Sequence, residues 1–379
     1  MSTMQFPLSR RRLLKISLAS TTGLMLPGYA FHPGLSKPGA QTWAPYDNSM
    51  VIDGLSAAFD HGVSEINQQT LDIFRHSGIT AVNVTIPYPG DDFAQTNAKI
   101  DHTLAVIKKY PDYLRLIHTV DDLLSAKKHK QVGIIIGFQS TEMFGKDLSL
   151  IDHFAQRGTR YMQMSYNGPS QFGSGGLVKA NQGLTALGKA ALRRMEANKV
   201  LVDLSHSGKQ TVIDAIAHAK KPITISHTGC NALYRHPRNN DDSELRAVAA
   251  NGGVVGIYLM PFLEGGSHEI KAETVIKHIR HAVKVCGEDY VSIGSDQGII
   301  PVNDTPQYRE MIRQEVKRRI AAGISAPGET PERPPFIPDL NSERRMELIA
   351  WHLKKAGFTD LRIEKILGKN LINLYREIW

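Results

Sequence analysis

Only two cysteines, Cys230 and Cys286, occur in the 379 residues. That scarcity excludes a disulfide framework, which a chain of this length does not need, and both thiols are expected to be buried and nearly inert. No apolar run beyond residue 40 approaches the ~20 residues that a membrane span requires, so no stable transmembrane anchor is expected. Zinc-finger and RNA-binding signatures are absent as well, which argues against nucleic acid as a partner. There is no solenoid repeat and no low-complexity domain. Acidic residues are missing from the first 46 positions, where Arg10, Arg11, Arg12 and Lys15 contribute four of the net +8 charges. The remainder is only mildly basic, with acids and bases interleaved.

The N-terminal charge cluster has a form of its own. Ser9-Arg10-Arg11-Arg12-Leu13-Leu14-Lys15 precedes a modestly apolar stretch at 16–31. Paired arginines ahead of a short apolar segment resemble a twin-arginine export signal; an ordinary basic N-terminus is the alternative. The expectation is a signal and linker over 1–40, a single folded domain over 41–379, the twin-arginine machinery as a partner and the periplasm as destination. That route carries folded proteins, so a metal can be loaded before export.

From residue 50 onward strand-like and helix-like runs alternate. The strand candidates are 50–58, 80–88, 132–140, 160–168, 200–206, 222–227, 254–262 and 290–298. Helical spacing marks 64–78, 91–111, 148–158, 184–199, 209–220, 243–253 and 272–287, several of them closing on glycine. Eight strands alternating with helices over ~250 residues point to an α/β fold, a TIM-like (β/α)8 barrel. An open doubly wound sheet would normally carry a glycine-rich phosphate turn after its first strand, and Asp53-Gly54-Leu55-Ser56-Ala57-Ala58-Phe59 is not one. A helix over 306–322, a proline-rich exposed loop or edge cover over 326–340 and extra C-terminal helices over 342–356 and 359–378 follow.

Two runs carry the chemistry. VLVDLSHSG (200–208) and PITISHTGC (222–230) are both strand-like, and each reaches Ser-His where the strand gives way to a loop. With a single crossover helix between them the strands are parallel, which puts His206 and His227 side by side at the rim where such barrels hold their sites. Neutral imidazole is a common metal ligand. A lone strand-end histidine more often satisfies a local hydrogen bond; the matched context favours a shared divalent ion. Other rim candidates are Asp53 to Ala57, Gln139, Tyr166 with Asn167, and Asp296. Asp296 suits a proton acceptor or a partner for metal-bound water, and equally a turn with Gly298. Arg238 lies on the loop after the second histidine and could pair bidentately with a substrate carboxylate, although a loop arginine is more often a solvated charge.

The order LTxxGxxxxxxMxxxxxxVDLSHS, ISHT, an Arg-Asn pair within a dozen residues, GSD and a terminal ILGKNLINLYREIW resembles the membrane (renal) dipeptidase family, peptidase family M19. The resemblance runs from about residue 50 to the end. It implies a barrel of the metal-dependent hydrolase type with two zinc ions that cleaves dipeptides. It also implies that His206 and His227 are metal ligands, that Arg238 grips the substrate carboxylate and that Asp296 stands near the bridging water.

The chain departs from that pattern at the other zinc. Where the family has Asp-Gly-His-x-Asp, this chain has Asp53-Gly54-Leu55-Ser56-Ala57, and Leu55 and Ala57 cannot ligate. The bridging glutamate falls on Gln139, and a substrate-binding histidine falls on Tyr166. Asp60 and His61 lie nearby at a different spacing. The expectation is therefore at most one Zn²⁺ per chain, held by His206, His227 and Gln139, with Tyr166, Asn167 and Arg238 toward a small peptide-like substrate. A non-hydrolytic tailoring enzyme and a metal-depleted binding protein are the alternatives, and a homodimer is left open.

Overall fold

The computed structural model describes residues 41–59, 62–87, 89–321 and 325–379. The export-signal reading on residues 1–40, and Asp60 and His61, fall outside them. The strands are β1 (Ile52–Ala57), β2 (Ala81–Thr85), β3 (Leu114–Leu116), β4 (Val132–Phe138), β5 (Thr159–Gln163), β6 (Leu201–Asp203), β7 (Ile225–Thr228), β8 (Val255–Ile257), β9 (Val291–Ile293) and β10 (Gln297–Gly298). All ladders between them are parallel.

The ladders run β1–β2–β4–β5–β6 and β7–β8–β9, with β10 returning to β1. Two junctions close the ring. Between β6 and β7, Leu204 N–H donates to the Thr224 carbonyl at 2.8 Å and Thr224 N–H to that of Val202 at 3.0 Å. The last stave is one strand in two pieces: β9 bends through Gly294–Asp296 into β10, and Asp296 N–H donates to the Leu55 carbonyl of β1 at 2.9 Å. The result is the TIM-like (β/α)8 barrel, and its eight staves coincide with the eight strand candidates. β3 is a short extra strand on β4, and with the following helix Val120–His129 it is the unit that hydrophobic patterning misses.

Staves buried on both faces read as continuous apolar runs because helices cover them outside while side chains fill them inside. The interior is narrow beside β7. A Cβ at Gly256 or Gly294 would sit 1.9 or 2.0 Å from the Ser226 carbonyl oxygen, so only glycine fits there. At the strand N-termini the C-terminal helix Asn370–Ile378 plugs the barrel. Its Leu371, Leu374 and Tyr375 pack with Ile52, Ala81 and Leu201, and the Tyr375 hydroxyl meets that of Tyr161 at 2.7 Å. That helix continues from Asp360 through a π-helical stretch at Lys365–Lys369, where Gly368 lies against the Met50 carbonyl. With one end sealed, the opposite end is left for chemistry.

The proline-rich segment is a packed cover and not an exposed loop. Phe336, Ile337 and Leu340 are buried, and the Pro335 carbonyl accepts from Gln297 Nε2 at 3.0 Å. Prolines carry no N–H, so a segment rich in them can be buried with fewer donors left to satisfy. Cys230 and Cys286 are buried free thiols, as their scarcity suggested. No helix among the described residues is long and apolar enough to cross a membrane.

Candidate active site

Three residues at the strand C-termini share a left-handed backbone that only glycine adopts without strain: Asn167 at φ 44°, His206 at φ 65° and Asp296 at φ 57°. Such strain costs on the order of 1–3 kcal/mol each and persists where the surroundings over-determine it, commonly at functional sites. Here the surroundings are visible. Asp203, the last residue of β6, accepts from Ser205 N–H at 2.9 Å and Ser205 Oγ at 2.8 Å, pinning the turn into His206. Asp53 on β1 accepts from Ser295 N–H at 2.7 Å and Ser295 Oγ at 2.5 Å, pinning the turn into Asp296.

The two histidines meet. His206 Nε2 lies 2.9 Å from His227 Nε2, with the rings 4.9 Å apart and steeply tilted, edge to face. Burial, then the Arg238 charge, holds both imidazoles well below the usual histidine range, and His227 adds to the effect on His206. Both are therefore neutral and carry a lone pair apiece. Tyr166 stacks on His206 at 4.1 Å between ring centres and walls it. Asn167 turns its Oδ1 to His206 Nδ1, 2.8 Å away.

Arg238 is buried, and no carboxylate among the described residues pairs with it. Its loop is anchored by backbone. Thr228 Oγ1 donates to the Arg238 carbonyl at 3.0 Å, Arg238 N–H donates to His236 Nδ1 at 3.1 Å, and a capping box of Asp241 with Glu244 opens the next helix. The guanidinium stands over the Tyr258 ring at 6.0 Å. A buried, unpaired guanidinium on a fixed loop is an anion receptor. Burial raises the Asp296 carboxyl to about 7, with Arg238 opposing and Asp53 reinforcing the shift. Arg238 and Asp296 thus sense one another, and Arg238 senses both histidines, within one site.

Gln139 stands directly after β4, buried, and its amide has no hydrogen-bond partner among the described residues. On β1, Leu55 and Ala57 occupy the rim beside Asp296, and neither has a donor atom on its side chain. A two-ion centre does not fit this donor set. Among the described residues no group of three or more His, Cys, Asp or Glu side chains could hold a metal. One ion does fit the histidine pair. Nitrogens on a tetrahedral zinc with bonds of about 2.0–2.1 Å stand about 3.3 Å apart, a few tenths more than the 2.9 Å found.

Patterning found both histidines, Arg238, Asp296, Tyr166 and Gln139 as rim residues. It missed Asp203, Ser226 and Ser295, which hold them together with Asp53. The signal was available: a polar side chain inside a fully buried strand must find a partner there.

A barrel sealed at one end, with neutral histidines, an anion-binding arginine and a carboxyl near neutrality at the other, defines an α/β-barrel hydrolase of the metal-dependent type. The model for membrane dipeptidase (peptidase family M19) matches residues 55–323, and the chain belongs to that family. It is similar to an uncharacterized dipeptidase of Schizosaccharomyces pombe, 28% identical over 274 residues, spanning 69% of this chain and 64% of that protein. Among solved structures it is similar to an amidohydrolase from Pseudomonas aeruginosa, at TM-score 0.76 and 26% identity, covering 89% of this chain and 98% of the other. A metallopeptidase from Rhodobacter sphaeroides, liganded with a phosphinate mimic of L-Ala-D-Ala, shares the fold at TM-score 0.69 and 17% identity, covering 87% and 100%.

Proposed function

We propose that this protein is an exported dipeptidase-like metallohydrolase working with one divalent ion, Zn²⁺, held by His206 and His227 with Gln139 as the remaining protein donor. The observation that carries the reading is the pair of neutral imidazoles with facing Nε2 atoms, beside a buried arginine that has no salt-bridge partner among the described residues. When bound, the ion supplies Lewis-acid polarisation of an amide carbonyl. Arg238 binds the carboxylate of a small peptide-like substrate through its planar two-donor fork. Asp296, with its carboxyl near neutrality, takes a proton from the attacking water and returns it to the leaving amine. Tyr166 closes the wall behind His206.

Leu55, Ala57 and Gln139 favour a second reading, in which the same pocket performs a non-hydrolytic tailoring step on a peptide-like molecule or only binds it. Elemental analysis of protein recovered from the periplasm, followed by assay on L,L-, L,D- and modified dipeptides, separates the readings. One ion per chain with release of amino acids supports the hydrolase. Turnover without bond cleavage supports tailoring, and binding without turnover supports a receptor.

A further inference from the structure

We propose that Asp203, acting through Ser226, and Asn167 are positioning residues that fix the tautomers of His227 and His206, so that both Nε2 atoms present lone pairs to one point. The role rests on the single-ion reading above, and the proton count makes it specific.

Asp203 is buried, and every group that touches it is a donor. Oδ1 accepts from Ser205 N–H, Ser205 Oγ and Ser226 N–H, and Oδ2 accepts from Ser226 Oγ at 2.5 Å and Gln163 Nε2 at 3.1 Å. Ser226 has one hydroxyl proton, and the carboxylate takes it. Toward His227 Nδ1, 2.8 Å away, Ser226 Oγ can then only accept. His227 must carry its proton on Nδ1, which leaves Nε2 bare. On the other side Asn167 Oδ1 accepts from His206 Nδ1, which leaves His206 Nε2 bare as well. Two acceptors therefore face each other at 2.9 Å, an arrangement that is repulsive until a cation lies between them. A carboxylate behind an imidazole chooses its tautomer; here the choice passes through a serine.

Asp203→Asn reverses the relay. The new amide N–H donates to Ser226 Oγ, whose proton then turns to His227 Nδ1 and moves the histidine proton to Nε2. The fold can absorb the change, because Gln163 Oε1 is a buried acceptor without a partner among the described residues and a flip of that amide presents it to the asparagine. Ser226→Ala releases His227 without reversing it, and Ser226→Thr keeps the hydroxyl.

The test is ¹⁵N NMR of histidine-labelled, metal-free full-length protein, together with Zn²⁺ affinity measured by chelator competition. Both imidazoles are expected as Nδ1–H tautomers in the parent and in Ser226→Thr. Asp203→Asn should show His227 as Nε2–H. Zn²⁺ affinity should fall about 10–100-fold in Ser226→Ala and at least as far in Asp203→Asn. An Nε2–H tautomer for His227 in the parent overturns the proposal, even where no variant folds. Tight Zn²⁺ binding that is equal in parent and Ser226→Ala also overturns it while leaving the metal reading intact. Nδ1–H tautomers in a parent that binds no Zn²⁺ would leave the tautomer lock standing and remove the metal reading.

Discussion

Replacing Asp53 by asparagine should flatten the pH dependence of stability. Asp53 is 1% exposed, and burial raises its carboxyl from 3.8 to about 7 against the opposing effects of Ser295, Arg345 and the Leu55 N–H. Between those two values the folded state holds a proton that the unfolded chain has released. The stabilisation is complete below pH 4 and is lost as pH rises through 7. Each pH unit in that window is worth about 1.4 kcal/mol, so the parent should lose roughly 2–3 kcal/mol from this group between pH 5 and pH 7. At pH 5 the protonated acid can donate to Ser295 Oγ, and the amide introduced by Asp53→Asn would occupy the same place, so the two proteins should be similar in stability there. At pH 8 the variant should be the more stable, by about 2 kcal/mol or more. Urea unfolding of both proteins at pH 5, 6, 7 and 8 measures the difference. Parallel curves across that range would refute the reasoning and show that Asp53 stays ionised, paired with Arg345, throughout.

The same variant removes a like charge beside Asp296, so the ascending limb of any pH–rate profile should move to lower pH; an unmoved limb would exclude Asp296 as the proton acceptor. Arg238→Lys keeps the charge but loses the two-donor fork; affinity for a dipeptide should fall about tenfold with little change in stability, and equal parental affinity for the free acid and its methyl ester would rule out the clamp. His206→Ala should abolish bound metal, whereas Leu55→His, Ala57→Asp and Gln139→Glu together should raise capacity from one ion to two, with elemental analysis deciding; two tightly held ions in the parent would contradict the count. Replacing Arg10 and Arg11 by Lys should retain the precursor in the cytoplasm, and undiminished periplasmic yield on fractionation would remove the twin-arginine reading.

Residue order alone determined the barrel and most of its rim. A parallel stave is buried on both faces, so it is written as an unbroken apolar run, and at the site its C-terminal end falls where that run meets Ser-His or Ser-Asp. β3 and the helix Val120–His129 escaped because three residues, Leu114-Arg115-Leu116, have no measurable period and the helix is rich in charge. The prolines of 326–340 point to an exposed loop or edge cover, and which of the two it is depends on Phe336, Ile337 and Leu340 finding the barrel wall. Tertiary structure alone decided what stands behind the site. Ser226 lies 23 positions from Asp203, and Ser295 lies 242 from Asp53, yet each pair is in hydrogen-bond contact. It turned Asn167 onto His206, left Arg238 without a salt bridge among the described residues and set the C-terminal helix as the plug at the opposite end. The physical reason is that hydrophobic period is a local property of the chain. The partner that satisfies a buried polar atom is chosen only when distant strands close into a ring.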